Sequence, residues 1–287
     1  MQDKPVADIS LVVPNYNNGR FLTDFFQSVI NSTVFPKELI LVDDGSTDGS
    51  ASLIDQYNYL EFLKVIKFPE NRGMSEALNA GLTVATGKYI MRADPDDILH
   101  PGRIKIQYEY MEAHPETSVL GCNVVYFHHA AGNNINVSNF PIGNDKIIGA
   151  YKQGVNGIQH PTAIIRGAIL QGYRYEKVSP GEDYEIFSRI ARDGYQFANL
   201  QEPLYRMRVH RASSTNNLTI ASAQNIFSAR DLIWGTKTAK MRVFLYFYYI
   251  RFYRKYQMST NGFVRHWYLI VAGICFPSRI FKRLMRT

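Results

Sequence analysis

Residues 1 to about 115 alternate short apolar runs with helical patterns, and that alternation leaves few folds open to the chain. Ile9–Pro14 is almost uniformly apolar, as a strand covered on both faces must be. Asn18-Gly19 then opens a helix that gathers Phe21, Leu22, Phe25, Phe26, Val29 and Ile30 on one side. Leu39–Val42 reads as a second strand, and Ser46 to Tyr57 as a helix capped by Ser46 or Thr47. Leu63–Phe68 is a third strand, Met74 to Ala85 a third helix and Lys88–Met91 a fourth strand. A helix over His100 to His114 follows, with Pro101 in its first turn. A β-α-β-α order of this kind predicts a doubly wound, mostly parallel sheet that binds its ligand at the carboxyl ends of the strands.

Carboxylates gather at those ends. Leu41-Val42 leads into Asp43-Asp44, and the strand ending in Met91-Arg92-Ala93 leads into Asp94-Pro95-Asp96-Asp97. Three acids on one turn repel each other unless a cation or a set of donors neutralises them. Two carboxylates one residue apart can grip a hard divalent ion, which can then hold a diphosphate. A solvated acidic turn is the plain alternative, and the second acidic strand end weighs against it.

Other phosphate and calcium sites are excluded by spacing. The first strand runs into Pro14-Asn15-Tyr16-Asn17, with neither G-x-G-x-x-G nor a P-loop, which excludes a Rossmann dehydrogenase or a P-loop ATPase. Asp43-Asp44-Gly45-Ser46-Thr47-Asp48-Gly49 has its glycine too early for an EF-hand and no closing Glu. Cys122 and Cys275 stand too far apart in sequence for a metal-spaced pair, as expected of a fold that needs no disulfide in a reducing compartment. Met1 to Asp8 is polar and the apolar run after it is short, so no signal peptide is expected.

Beyond residue 115 the pattern is mixed. Strands are predicted at Val119–Phe127, Thr162–Arg166 and Leu204–Val209, helices near Asp145–Gln153 and Glu182–Asp193, and loops over Asn123 to Asn144. A different composition begins after about Asn217. Past Asp231 there are eleven Lys and Arg residues and no acid, which leaves 21 basic against 25 acidic residues in the rest of the chain. Half of the sixteen residues from Met241 to Tyr256 are aromatic. Trp267–Ser278 is uncharged over only twelve residues, short of the roughly 20 that a spanning helix needs. In Arg279–Arg286, Ile280, Phe281, Leu284 and Met285 fall opposite Arg279, Lys282, Arg283 and Arg286. The tail is therefore expected to lie in an anionic membrane interface, a helical subdomain packed on the body being the alternative.

Taken in order, VVPNYNNGRFL, ILVDDGSTDGS, ENRGMSEALNAG, GKYIMRADPDD, HPTAIIR, GEDYEIFSRIARDG and YRMRVHRAS resemble glycosyltransferase family 2 over roughly residues 6 to 215. The resemblance implies an inverting enzyme of the GT-A fold, a Rossmann-like α/β domain over 1–217; the tail over 218–287, read from its composition as helical and membrane-associating, is not part of the shared core. It implies that Pro14, Tyr16 and Asp44 hold the nucleotide base, and that Arg72 serves the base or the diphosphate. Asp94 would stand nearer the ribose, with Asp96 on a Mn2+ or Mg2+ ion, or Asp97 in its place. Glu182-Asp183 matches the acidic pair near the acceptor, with Asp183 as catalytic base. Acids are also common in a first helical turn, where the macrodipole favours them and would keep Asp183 ionised. Arg208 and His210 would approach the departing diphosphate, or His210 the metal, and His160 the acceptor cleft.

The function this implies is transfer of a sugar from a nucleotide-diphosphate sugar, a UDP-sugar by family frequency, to a hydroxyl of a glycan acceptor. The basic aromatic tail points to a lipid-linked saccharide in bacterial surface polysaccharide assembly, and to a cytoplasmic protein peripheral on the inner face of the membrane. A nucleotidyltransferase on a related sheet is the first rival, but it calls for a Gly-rich, basic loop where PNYNNGR offers one Gly and one Arg. A polyanion- or nucleic-acid-binding module is the second. The near-continuous aromatic run suits a membrane interface better than spaced base-stacking platforms, so no nucleic acid is expected as a partner.

Overall fold

A computed structural model describes residues 4–129, 132–178, 181–210, 219–259 and 261–277. The amphipathic run Arg279–Arg286 lies outside the described residues. The chain divides into two compact units, one running to Lys177 and resuming over Glu182–Val209, the other comprising Val178, Gly181 and His210 onward.

In the first unit, β1 (Val6–Asn15), α1 (Gly19–Ile30), β2 (Phe35–Asp43), α2 (Ser50–Asp55), β3 (Leu63–Lys67), α3 (Met74–Val84) and β4 (Tyr89–Arg92) follow the expected alternation. Next come β5 (Ile98–Leu99), α4 (Arg103–Ala113), β6 (Thr117–His128), β7 (Asn134–Val137) and α5 (Asn144–Lys152). A 3-10 turn (His160–Thr162), β8 (Ile164–Arg166), α6 (Gly167–Leu170), α7 (Glu182–Arg192) and β9 (Gln196–Val209) complete it. The nine strands form one sheet in the order β3-β2-β1-β4-β8-β6-β9-β5, with β7 on β6. The pairs β1–β2, β1–β4, β2–β3 and β6–β9 are parallel, and β8, β5 and β7 pair antiparallel to their neighbours. This is the mostly parallel α/β sheet that the alternation predicts.

Burial explains why these residues take these forms. Ile9, Leu11 and Val13 of β1 are fully buried, and Phe21, Leu22, Phe25, Phe26 and Val29 of α1 pack in the same core. Gly81 lets α3 lie against β1, since a Cβ there would stand 2.6 Å from Val12 Cγ1. Two expectations fail locally. The helix expected from Ser46 starts at Ser50, because Ser46 is spent on the strand ends: its hydroxyl donates to Asp43 Oδ1 (2.5 Å) and accepts from the Asn17 N–H (2.9 Å). Asp48 instead holds the Ser50 N–H (3.1 Å) and hydroxyl (2.6 Å). The polar stretch Asn123–Asn144 is not all loop, since β6 continues through Asn123 to His128 and turns back as β7. The Asn123 side chain sustains this, taking the Ser138 hydroxyl and the Phe140 N–H at 2.9 Å each.

Glu38 knits the sheet on the side of β1–β3. It is 2% exposed and accepts from Ser10 Oγ (2.5 Å), Lys64 Nζ (2.5 Å) and Thr86 N and Oγ1 (2.7 and 3.0 Å). Burial pushes its carboxyl up, but the donors of Lys64, Ser10 and Thr86 outweigh burial and hold it at about 2, against an ordinary 4.5. Glu38→Gln is expected to cost about 1.5–3 kcal/mol, the range for hydrogen bonds to a charged group. A depressed carboxyl stabilises the fold fully above its unfolded pKa and loses that contribution as pH falls through the folded value. The wild-type advantage should therefore be complete at neutral pH and shrink between about 4.5 and about 2. Urea unfolding of both proteins at pH 7 and pH 3 checks this, and an equal gap at the two pH values would refute it.

The second unit carries α8 (Ile220–Trp234), α9 (Lys240–Met258) and α10 (Gly262–Cys275). The Thr219–Ser222 capping box starts α8, Gly235 in the left-handed conformation ends it, and the Asn261 side chain caps α10. Ala223, Phe227, Val243, Tyr246 and Phe247 form its own small core. Among the described residues no helix is long and apolar enough to cross a membrane.

Candidate active site

Because β1, β2 and β4 are parallel and in register (Asn15 opposite Asp43, Val12 opposite Arg92), their carboxyl ends open on one rim. Pro14–Tyr16, Asp43–Gly49 and Asp94–Asp97 all lie there. The first two segments are laced together: Asn15 Nδ2 donates to Asp43 Oδ1 (2.8 Å), Asp44 N to Asn15 O (2.8 Å) and Gly19 N to Asp48 Oδ2 (2.8 Å). Asp44 is 3% exposed and draws in a third segment, accepting Arg72 N on Oδ1 (2.7 Å) and Gly73 N and Asn71 Nδ2 on Oδ2 (2.9 and 3.1 Å). Gly45 makes this crossing possible: its φ is +68°, and a Cβ would lie 2.4 Å from the Glu70 carbonyl carbon. Of the residues expected around a base, Tyr16 is half exposed and Arg72 is exposed over the Phe68 ring (4.8 Å), whereas Pro14 is buried inside β1.

The turn after β4 brings Asp94, Asp96 and Asp97 together, with one carboxylate oxygen of each inside a 4.8 Å cluster. Arg92 Nη2 donates to Asp94 Oδ1 (2.7 Å), and its Nη1 donates to the Ala93 carbonyl. Asp97 is 2% exposed, and its Oδ1 takes the Arg208 N–H (2.7 Å). Burial raises the Asp97 carboxyl well above the usual range, and repulsion from Asp96 and Asp94 adds to it. Asp94 is also raised by burial, with Arg92 pulling against it. The turn thus holds more negative charge than its own donors balance. Three hard oxygen ligands so disposed fit a divalent cation, which would reverse the sign of the local field.

Arg208 sits behind the acidic turn. Its side chain is 5% exposed, with Nε on the Asp96 carbonyl (2.8 Å), Nη2 on Asp24 Oδ2 (2.7 Å) and Nη1 on His129 Nδ1 (3.2 Å). It lies between the rings of Phe21 (5.0 Å) and Phe127 (4.8 Å) and fastens the acidic turn to β9. His210 is buried in the second unit.

Asp183 stands in the first turn of α7. Its Oδ1 accepts the Tyr184 N–H (2.7 Å) and its Oδ2 the Asn156 amide (2.6 Å). Burial raises its carboxyl above the ordinary aspartate value, overriding these donors and the attraction of Arg92. A raised carboxylate is a stronger proton acceptor than an exposed one. Glu182 is half-buried beside it. His160 is 6% exposed, sharing a hydrogen bond with Tyr175 Oη (2.9 Å) and packing edge-on to Phe187 (5.7 Å). Burial, with Arg92 nearby, holds its imidazole well below the usual range, so it is neutral near pH 7.

Arg92 is the residue that the sequence did not single out. Its guanidinium is buried, interacts electrostatically with Asp94, Tyr175 and Tyr205, and also lowers Asp183 and His160. It therefore links the acidic turn to the group around Asp183. A basic residue inside the four-residue apolar strand YIMR, directly before an acidic turn, was the available signal. Arg103 lies below it, donating Nη2 to the Arg92 carbonyl (2.8 Å) and Nε to Gln107 Oε1 (2.9 Å).

The model of Glycosyl transferase family 2 matches residues 10–173, more than half of the chain. Glycosyltransferase EpsE of Bacillus subtilis is 30% identical over 213 residues, spanning 70% of this chain and 72% of its own. The Escherichia coli UDP-Gal:alpha-D-GlcNAc-diphosphoundecaprenol beta-1,3-galactosyltransferase is 23% identical over 288 residues, 99% of this chain and 98% of its own. Staphylococcus aureus TarS 1-349, also solved with UDP and with UDP-GlcNAc, superposes with a TM-score of 0.61 at 21% identity, over 95% of this chain and 82% of that one. At that identity the likeness is one of fold, and the fold is GT-A. By the extent of the family match, the chain belongs to glycosyltransferase family 2.

Proposed function

We propose that the chain transfers a sugar, with inversion, from a UDP-sugar to a hydroxyl of a lipid-linked glycan during assembly of a bacterial surface polysaccharide. The observation that carries this reading is the charge-crowded Asp94/Asp96/Asp97 turn at the end of β4, within the electrostatic reach of Arg92, which also acts on the half-buried acid Asp183 at the start of α7. The catalytic machinery is assigned to 1–217. Tyr16, Asp44 with the Asn71–Gly73 segment it holds, and Asp94 would form the nucleotide side. Asp96 and Asp97 would hold a Mn2+ or Mg2+ ion, which when bound neutralises charge on the departing diphosphate.

Asp183 takes the proton of the acceptor hydroxyl as that oxygen bonds to the anomeric carbon. The bond from that carbon to the diphosphate oxygen breaks from the opposite face, and its electron pair leaves with the nucleoside diphosphate. Asn156 and the Tyr184 N–H aim the carboxylate for this step, and the neutral His160–Tyr175 pair walls the site without adding charge. The E. coli relative, matched over nearly its whole length, supports the wider setting, since by its name it acts on a diphosphoundecaprenol-linked sugar. The basic segment 218–287 is assigned to attachment at the anionic inner surface of the membrane, which would bring the enzyme to such an acceptor.

A panel of nucleotide sugars with Mn2+ or Mg2+ tests the reading. Release of UDP from one UDP-sugar, abolished by EDTA, is expected. Release of pyrophosphate would instead establish nucleotidyl transfer, and turnover that is indifferent to EDTA would remove the metal from the proposal.

A further inference from the structure

Helix α10 is amphipathic in the wrong direction for a helix in water. Phe263, Trp267, Ile270 and Ile274 recur at i, i+4, i+7 and i+11, which places them in one stripe. They are 86%, 57%, 57% and 73% exposed. On the opposite side Ala272 is fully buried, and Arg265 turns towards α9, with its guanidinium 4.7 Å from the Tyr256 ring. Tyr268 likewise meets Phe252 (6.3 Å) and Lys255 (5.4 Å) of α9. The polar tips face the neighbouring helix and the large apolar side chains face out.

We infer that this stripe of α10 enters the membrane, lying in the plane of an anionic bilayer surface. The inference rests on the membrane-surface reading above and names the face that enters. Three observations favour a bilayer over other occupants. The 14 residues of α10 rise about 21 Å in all, too little for a hydrocarbon core of about 30 Å. A helix that cannot cross, yet shows a continuous apolar stripe with a Trp in it, suits the interface, where an indole keeps its N–H in the headgroup layer. The charge is complementary, since Lys237, Lys240, Arg242, Arg251 and Lys255 are exposed on the same unit and no acid follows Asp231.

The test uses the full chain and vesicles of phosphatidylglycerol and phosphatidylethanolamine, with phosphatidylcholine vesicles as the neutral control. The chain has two Trp residues, so Trp234→Phe leaves Trp267 as the sole reporter. Its emission should shift to the blue on anionic vesicles and be quenched by brominated acyl chains. Phe263→Ser, Trp267→Ser and Ile270→Ser together should weaken sedimentation with anionic vesicles by about 100-fold, since each removes apolar surface that the bilayer would cover. The three positions are exposed, so circular dichroism should stay unchanged. If the intact protein sediments but the triple variant sediments equally, the stripe is the wrong face and the membrane reading survives. If the intact protein does not sediment, the membrane reading itself falls. A Trp267 emission that is already blue and ignores vesicles would show the stripe covered within the protein. A concentration-dependent dimer lost in the triple variant would assign it to a second copy. Either result overturns the inference.

Discussion

Asp183→Asn is expected to lower the turnover of the enzyme by about 10²–10⁴, the range for a lost, positioned general base. The amide is nearly the same size as the carboxylate and still offers an oxygen to the Tyr184 N–H, so α7 should start where it does now. Asn156, whose amide donates to Oδ2, is the residue that must adjust, and a rotation of its side chain suffices. The effect should therefore sit in the rate and not in the fold. Donor affinity should stay within about twofold, because the lost proton acceptor serves a step that follows donor binding. Single-turnover kinetics beside calorimetric titration of the UDP-sugar separates the two. A fall in donor affinity as large as the fall in rate would place Asp183 in the nucleotide site. The acid limb of the rate profile carries a second check: burial raises the Asp183 carboxyl, so activity should fall with acid at a pH above that of an exposed aspartate, and Asp183→Asn should erase that limb.

The sequence shows the first half of the sheet because β1, β2 and β4 carry runs buried on both faces, β3 sets half-buried Leu63 and Val65 against exposed Lys64 and Lys67, and each is followed by a helix or a turn of distinct period. The acidic strand ends are visible for the same reason, as charges that interrupt such runs. What stays hidden is set by long-range contacts. β5 has two residues, Ile98 and Leu99, and exists only because β9 passes beside it. β6 runs through the polar residues Asn123 and His128 because Asn123 bonds across to the Ser138–Phe140 segment, which no local pattern reveals. Arg208 reads as a basic strand end suited to a diphosphate, and in the fold its guanidinium meets Asp24, His129 and the Asp96 carbonyl. Asp44 reads as a base acceptor, and three donors from Asn71–Gly73 already occupy it. In both cases the charge is legible and its partner is not.

Arg92 shows how the two halves of the site depend on each other. A guanidinium buried beside Asp94 also lowers Asp183 and His160, at each of the three as a smaller effect than burial. Burial first, and Arg92 second, keep His160 from carrying a charge at neutral pH. An imidazolium beside a buried guanidinium would be repelled and desolvated together, so the ring stays neutral and packs.

Asp96→Asn and Asp97→Asn are each expected to cut metal-dependent turnover by about 10²–10⁴, the size of the transition-state charge stabilisation that a bound ion supplies. The argument is electrostatic. Three carboxylates within one 4.8 Å cluster repel each other, and burial drives Asp97 and Asp94 towards their protonated forms. Removing one negative charge lessens that repulsion, so neither variant should melt below the wild type. The amide introduced by Asp97→Asn would keep an oxygen for the Arg208 N–H, which preserves the link between the turn and β9. The loss should appear as a weaker Mn2+ titration: saturating metal should restore part of the activity of Asp96→Asn but none of the activity that Asp183→Asn has lost. EDTA should bring the wild type down to the level of the variants, and added Mn2+ or Mg2+ should restore it. Two variants that both keep the wild-type rate and the wild-type metal titration would show that the acidic turn holds no ion.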